Sequence, residues 1–397
     1  MVYQNISLMA AFLLFYSIFA GRFEARYVNG PLMFLLIGLL AGPAFLGVLQ
    51  IQAGSEEFRL LAEITLAIVL FTDAANANFS VLRANNWIPL KLLLIGLPLC
   101  LLAGWLFAKL LYPDMPWLEA AILATILAPT DAALGKAVVS NPGVPAPVRE
   151  GLNVESGLND GICVPVLLLL LALIAPEEQH KGTLVMAIEL FIEEIGIGLL
   201  VAIFLSFVSV RLLRRSKRLS LSSPLWHQLI MPSLAVLSFS LAQSLGGSGF
   251  IAAFCCGMLI GLQLKTDKEH FLHSNEGFGE LFSVVVWMTF GAAVIFMTWP
   301  YFTWKNWLYA LASLTILRML PVWISLAGKT MLKEQRLFIG WFGPRGLASI
   351  VFLIIAGQYE LIAKMDIYAT VIATIFLSVL LHGITAISLL LEVSSSN

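Results

Sequence analysis

Apolar residues recur along this chain in runs of roughly 16–29, separated by short polar stretches, from Ile6 almost to the tail. About 20 apolar residues in a helix suffice to cross a bilayer. The pattern places thirteen helices at about 6–21, 31–49, 58–75, 87–110, 117–139, 150–174, 183–210, 226–244, 248–264, 278–298, 305–328, 334–356 and 367–392. The thinnest division lies between the eighth and ninth, where only Gly246-Gly247-Ser248-Gly249 intervenes.

Composition supports the same reading. Of the 397 residues 59% are hydrophobic and only 12% charged, against about 25% charged in a soluble domain. The chain therefore reads as an all-α polytopic membrane protein with one transmembrane domain over residues 1–397. The N-terminus, MVYQNISLMA, lacks the basic region of a secretory signal, so the first run is read as a retained span. The four cysteines sit inside apolar runs without zinc spacing and read as packing residues.

Basic residues set the orientation. Connections after odd-numbered spans hold fourteen, including Arg22, Arg26, Arg83, Arg149, Lys265 and Lys329. Connections after even-numbered spans hold three, Lys181, Lys305 and Lys364. The N-terminus is thus expected outside and the C-terminus in the cytoplasm. Arg211 to Arg218, RLLRRSKR, reads as a topology anchor rather than a nucleic-acid site. Nothing resembles a phosphate-binding loop, so no nucleotide is expected to drive the protein. The short tail and lack of targeting signals point to a plasma membrane.

An ionised side chain near the bilayer centre costs about 2.5–3.5 kcal/mol, yet Asp73, Asp131, Glu155, Asp160, Arg318 and Arg345 all fall deep within predicted spans. Pro129 breaks the fifth span, and Thr130 and Asp131 follow it directly. An interrupted membrane helix exposes carbonyls and helix ends that can ligate ions. In the sixth span Ser156 and Asp160 are i,i+4 neighbours on one face, and Glu155 and Asn159 on the next. Oxygens of this kind suit a hard monovalent cation such as sodium. Glu155 calls for a cationic partner, either Arg318 or Arg345. A second Gly/Pro interruption, Gly340 to Gly346 (GWFGPRG), falls seven spans after the first. An odd offset brings the two broken helices in from opposite sides, as inverted-topology repeats require. The repeats would cover about 6–174 and 226–392, joined by a helix over 183–210.

Three motifs in order, Pro129-Thr130-Asp131, Glu155-Ser156-x-x-Asn159-Asp160 and Gly343-Pro344-Arg345-Gly346, resemble those of NhaP/NHE-like monovalent cation/proton antiporters. The likeness extends over essentially the whole transmembrane chain. It implies that Asp160 is the main cation- or proton-binding carboxylate and that Thr130, Asp131 and Ser156 complete the coordination. It also implies that Asn159 holds the geometry, that Glu155 pairs with Arg318, and that Asp73 lies near the ion path. Ala132 and Gly157 depart from the family's usual proline and leucine. An asparagine at 159 resembles the branch that exchanges one cation for one proton without net charge.

The expected function is Na+ (or Li+) exchange for H+ by alternating access in a homodimer, with no cofactor. The same fold exchanging K+ is the alternative. A cation channel would need a filter-like repeat, which is lacking. An enzyme is not expected, since HExxH and a rhomboid-like Gly-x-Ser-Gly are missing and the five histidines do not cluster.

Overall fold

A backbone crossing hydrocarbon has no water to bond, so its amides and carbonyls must be satisfied within the segment, and the helix does this. The computed structural model describes residues 2–25, 30–51, 55–76, 87–131, 134, 144–174, 183–219, 221, 223–264, 268–328, 331–359 and 361–395. Its major helices are α1 (Val2–Ala25), α2 (Gly30–Ala41), α3 (Glu56–Asn76), α4 (Trp87–Leu111), α5 (Trp117–Ile126), α6 (Ala146–Ala172) and α7 (Thr183–Arg218). They continue with α8 (Ile230–Ser244), α9 (Gly249–Gln263), α10 (Lys268–Thr289), α11 (Trp304–Ser325), α12 (Lys333–Trp341), α13 (Leu347–Ala356) and α14 (Lys364–Ser395). Among the described residues there is no strand.

Among the described residues seven helices are long and apolar enough to cross a bilayer, and five shorter ones are apolar. The difference from thirteen expected spans has physical causes. α3 is long enough but carries Glu56, Glu57, Arg59, Glu63 and Asp73. The fifth span is helical only to Ile126, after which residues 129–131 run without helix. Most of its expected second half, residues 132–139, lies outside the described residues, as do Arg26, Arg83, Lys181, Lys265 and Lys329. The twelfth span divides into α12 and α13 around Gly343-Pro344-Arg345-Gly346. The Gly246 to Gly249 stretch does separate two helices, with Gly246 turning the chain at φ +78°.

The chain folds as two compact units. The first comprises Met1–Arg59, Ala84–Asn159 and Ser283–Asn397, and the second Leu60–Arg83 and Asp160–Phe282. In the first unit Ile88, Leu92, Val148, Leu152, Val322, Leu326, Ile339 and Phe342 form one apolar cluster from the ends of α4, α6, α11 and α12. Elsewhere in this unit, Asn306 donates to Tyr112 Oη (3.0 Å) and Thr370 Oγ1 (2.9 Å), tying α11 and α14 to the α4–α5 connection. Burial pushes the Tyr112 hydroxyl up to about 12, so it acts as a neutral phenol.

Each unit contains a crossing built on two glycines four residues apart. In the first, Gly38 of α2 and Gly42 just past its end lie against the backbone at Met288 and Ala292. In the second, Gly257 and Gly261 of α9 lie against the backbone at Phe71 and Ala75 of α3. Small residues let helix axes approach closely where lipid supplies no hydrophobic drive. A Cβ at Gly38 or Gly257 would overlap a carbonyl oxygen, which no rotamer change can relieve. Gly38→Leu or Gly257→Leu should each cost at least about 2–3 kcal/mol. The check is a thermal melt of detergent-purified protein against Gly277→Leu, where a Cβ would meet no atom within 4 Å. Melting of either variant at the control temperature would refute the close approach.

Candidate functional site

Proline has no amide and disfavours helix at the residue before it. Pro129 therefore ends the α5 segment and leaves its last carbonyls without helical partners. The structure satisfies them from the other broken span. Arg345 Nη1 donates to the carbonyls of Ala128 (3.0 Å) and Pro129 (3.2 Å), and Ser349 Oγ donates to Ile126 O (2.7 Å). In return, Asp131 Oδ2 accepts the Leu347 amide at the start of α13 (3.0 Å), and the Asp131 amide donates to Pro344 O (2.8 Å). A cation thus closes the negative end of α5 and an anion the positive end of α13, each where the helix dipole favours it. Gly346 is needed here because any Cβ would overlap the Asp131 carboxylate.

α6 packs its polar face onto the same break. Ser156 Oγ donates to the Thr130 carbonyl, and Asn159 Nδ2 to Thr130 Oγ1 (2.6 Å) and, weakly, to Glu155 Oε1 (3.4 Å). Asn159 is fully buried, and its Oδ1 has no hydrogen-bond partner among the described residues. Arg318 grips Glu155 with two parallel bonds of 2.8 Å, both side chains being inaccessible to solvent. This fork-on-carboxylate geometry is the strong form of the ion pair.

A sequence profile described as "Sodium/hydrogen exchanger, transmembrane" matches residues 8–392. The chain belongs to the sodium/hydrogen exchanger family. The chain is 26% identical over 333 residues to the K(+)/H(+) antiporter NhaP2 of Shewanella sp. (strain ANA-3), covering 81% of this chain and 55% of that one. It is 26% identical over 356 residues to the K(+)/H(+) antiporter NhaP of Alkalimonas amylolytica, covering 87% and 60%. It is 23% identical over 381 residues to a probable Na(+)/H(+) antiporter of Schizosaccharomyces pombe, covering 88% and 47%. The chain spans about half the length of the curated relatives it matches. Its fold is similar to that of the sodium proton antiporter MjNhaP1 from Methanocaldococcus jannaschii at pH 8, with TM-score 0.78, 19% identity and coverage of 98% and 99%.

Within the first unit the structure brings together Pro129, Thr130, Asp131, Glu155, Ser156, Asn159, Arg318 and Arg345. Asp160, buried, continues α6 one turn beyond Ser156 and opens the second unit. Asp73 also belongs to the second unit, half-buried on α3 beside Thr72, whose hydroxyl accepts from buried Asn275. Among the described residues no three His, Cys, Asp or Glu converge as a metal cluster.

Between the two candidate partners of Glu155 the geometry selects Arg318, because Arg345 is engaged by carbonyls. Sequence reading did not find the tasks of Ser349, Ser378 and His382, which bond the broken backbone. An i,i+4 Ser378/His382 pair inside an apolar run was the available signal.

Breaking one side of the buried pair should strand a charge. Glu155→Leu or Arg318→Leu alone should destabilise by about 3–5 kcal/mol, while the double variant should recover most of that loss. Thermal melts of the three variants in detergent measure this cycle. Single variants melting with the wild type would show that the pair is not buried as described.

Proposed function

We propose that this exchanger moves a monovalent cation, Na+ or Li+, in exchange for H+ across the membrane, one for one and without net charge. The observation that carries the proposal is the polar break itself: Thr130, Ser156 and buried Asn159, whose Oδ1 has no hydrogen-bond partner among the described residues. Carbonyl, hydroxyl and carboxylate oxygens fit a hard cation.

Charge accounting supports a one-for-one exchange. Arg318 cancels Glu155. Asp131 and Arg345 face helix ends of opposite sign and offset one another. Asn159 contributes no charge. Asp160 is then the carboxylate for which cation and proton compete, with Asp131, Thr130 and Ser156 in support and Asp73 on the approach. Only the neutralised site, carrying Na+ or H+, crosses hydrocarbon cheaply.

Alternating access would arise from two inverted repeats, about 6–174 and 226–392, in a homodimer. The protein would sit in the plasma membrane with its N-terminus outside. K+ in place of Na+ is the second reading, favoured by the names of the NhaP2 and NhaP relatives.

The test uses purified protein in sealed liposomes with an internal pH dye and an imposed pH gradient, given Na+, Li+, K+ or choline. Na+-driven proton movement that is indifferent to voltage and lost in Asp160→Asn is the expected result. A response to K+ alone would change the substrate. Cation flux without proton movement would overturn antiport.

A further inference from the structure

His382 is buried in α14, 1% exposed, and takes no part in the function proposed above. Its Nε2 lies 2.9 Å from the carbonyl of Trp341, the last residue of α12. Its Nδ1 lies 3.3 Å from Ser378 Oγ and 2.9 Å from the Ser378 carbonyl one turn earlier. Ser378 Oγ in turn accepts the amide of Arg345 at 2.7 Å. The indole of Trp341 lies against the imidazole with centroids 5.1 Å apart, and its Nε1 donates to Thr385 Oγ1 (3.1 Å).

With a neutral ring one proton arrangement accounts for all of these contacts except that of Nδ1 with the Ser378 carbonyl, which is a hydrogen bond only when Nδ1 carries a proton. Nε2–H donates to Trp341 O, Ser378 O–H donates to Nδ1, and the Arg345 N–H donates to Ser378 Oγ. The Ser378 carbonyl already serves as a helical acceptor within α14. Trp341 O accepts the Gly343 amide as well, using its second lone pair. The pair therefore holds both margins of the second interruption: a carbonyl where α12 stops, and an amide in the segment before α13 begins. That same segment, Pro344 to Leu347, makes the backbone bonds that hold Asp131.

We infer that His382 and Ser378 are positioning residues for the cation site, fixing the broken twelfth span so that Asp131 and Thr130 present their oxygens correctly. The inference rests on the antiport reading only in naming Asp131 and Thr130 as parts of the site. The route is short and consists of named bonds. His382 holds Trp341 and Ser378, Ser378 holds Arg345, and the adjoining Pro344 and Leu347 hold Asp131. Outer partners that orient ligands commonly change cation affinity by about 10–100-fold when removed.

The test separates positioning from mere packing. His382→Leu keeps bulk and removes the donor, whereas His382→Gln places an amide N–H near the Nε2 position. Ser378→Ala removes the acceptor for the Arg345 amide, and Ser378→Thr retains it. For each detergent-purified protein the half-saturating Na+ concentration for thermal stabilisation is measured, with KM and maximal rate from the liposome assay. His382→Leu and Ser378→Ala should each raise half-saturation and KM about tenfold, with maximal rate within about twofold. His382→Gln and Ser378→Thr should return most of the affinity. If His382→Leu fails to insert, the Ser378 variants and His382→Gln carry the comparison. Unchanged half-saturation in His382→Leu and Ser378→Ala, or a fall in maximal rate alone, would overturn the positioning role. Wild-type protein that Na+ stabilises but that moves no protons would overturn antiport, while the affinity changes would still support the positioning role.

Discussion

A buried backbone group without a partner costs several kcal/mol in hydrocarbon, and two interrupted helices in one bundle create several at once. The rest of the site follows from how they are closed. Neither break is satisfied within its own span. The carbonyls ending α5 are closed by Arg345 and Ser349, and the amide opening α13 is closed by Asp131. Each interruption supplies the cap of the other. The charges in the membrane are thus structural before they are functional, because they replace the turn of helix that proline and glycine remove.

The Glu155–Arg318 pair answers a related demand. Removing two charges from water costs more than their attraction usually returns, so such a pair contributes little net stability. Its geometry accounts for its place. The pair lies one turn before Asn159, and Glu155 also receives a weak bond from that residue's amide. A permanently neutralised Glu155 leaves the adjoining face of α6 with Ser156, Asn159 and Asp160, a set whose net charge one cation or one proton can cancel. Under the proposed function, the pair keeps a second carboxylate in the wall from competing for the transported ion.

How much of this is legible in the sequence depends on whether the relevant signal is local. The breaks are legible because Pro129 stands beside Thr130-Asp131 and Pro344 between Gly343 and Gly346; proline alone does not decide it, since Pro165 and Pro321 lie inside α6 and α11. The i,i+4 spacing that puts Ser156 with Asp160 follows from helix geometry alone. The partner of Glu155 is not decided by the residues, since two arginines occupy predicted spans and only tertiary packing sends Arg345 to carbonyls. Asp131 shows the same limit. An acid beside a broken helix reads as an ion ligand, but its bond to the Leu347 amide depends on a segment over two hundred residues away. His382 gives only a weak signal, its i,i+4 spacing from Ser378, because its contact with the Trp341 carbonyl depends on tertiary packing. The all-helical membrane class is legible from hydropathy, whereas the count of thirteen spans is not reproduced among the described residues, and the fifth span's helix stops sooner than its apolar run suggests.

The glycine crossings link this local chemistry to the proposed transport cycle. Gly38 and Gly42 bring α2 against the end of α10, and Gly257 and Gly261 bring α9 against α3, with the same four-residue spacing and the same backbone-on-backbone contact. In the proposed repeat α2 corresponds to α9 and α3 to α10, so each crossing is the counterpart of the other with its partners exchanged. A close backbone contact has little side-chain slack, so these pairs would move as rigid pieces. The broken spans, by contrast, are joined through a few discrete bonds, among them Arg345 to the carbonyls of Ala128 and Pro129 and Asp131 to the Leu347 amide, each of which would need a new partner if it opened. Under the proposed function each crossing would move as one stiff piece, and inverted repeats would open the ion site to either side in turn.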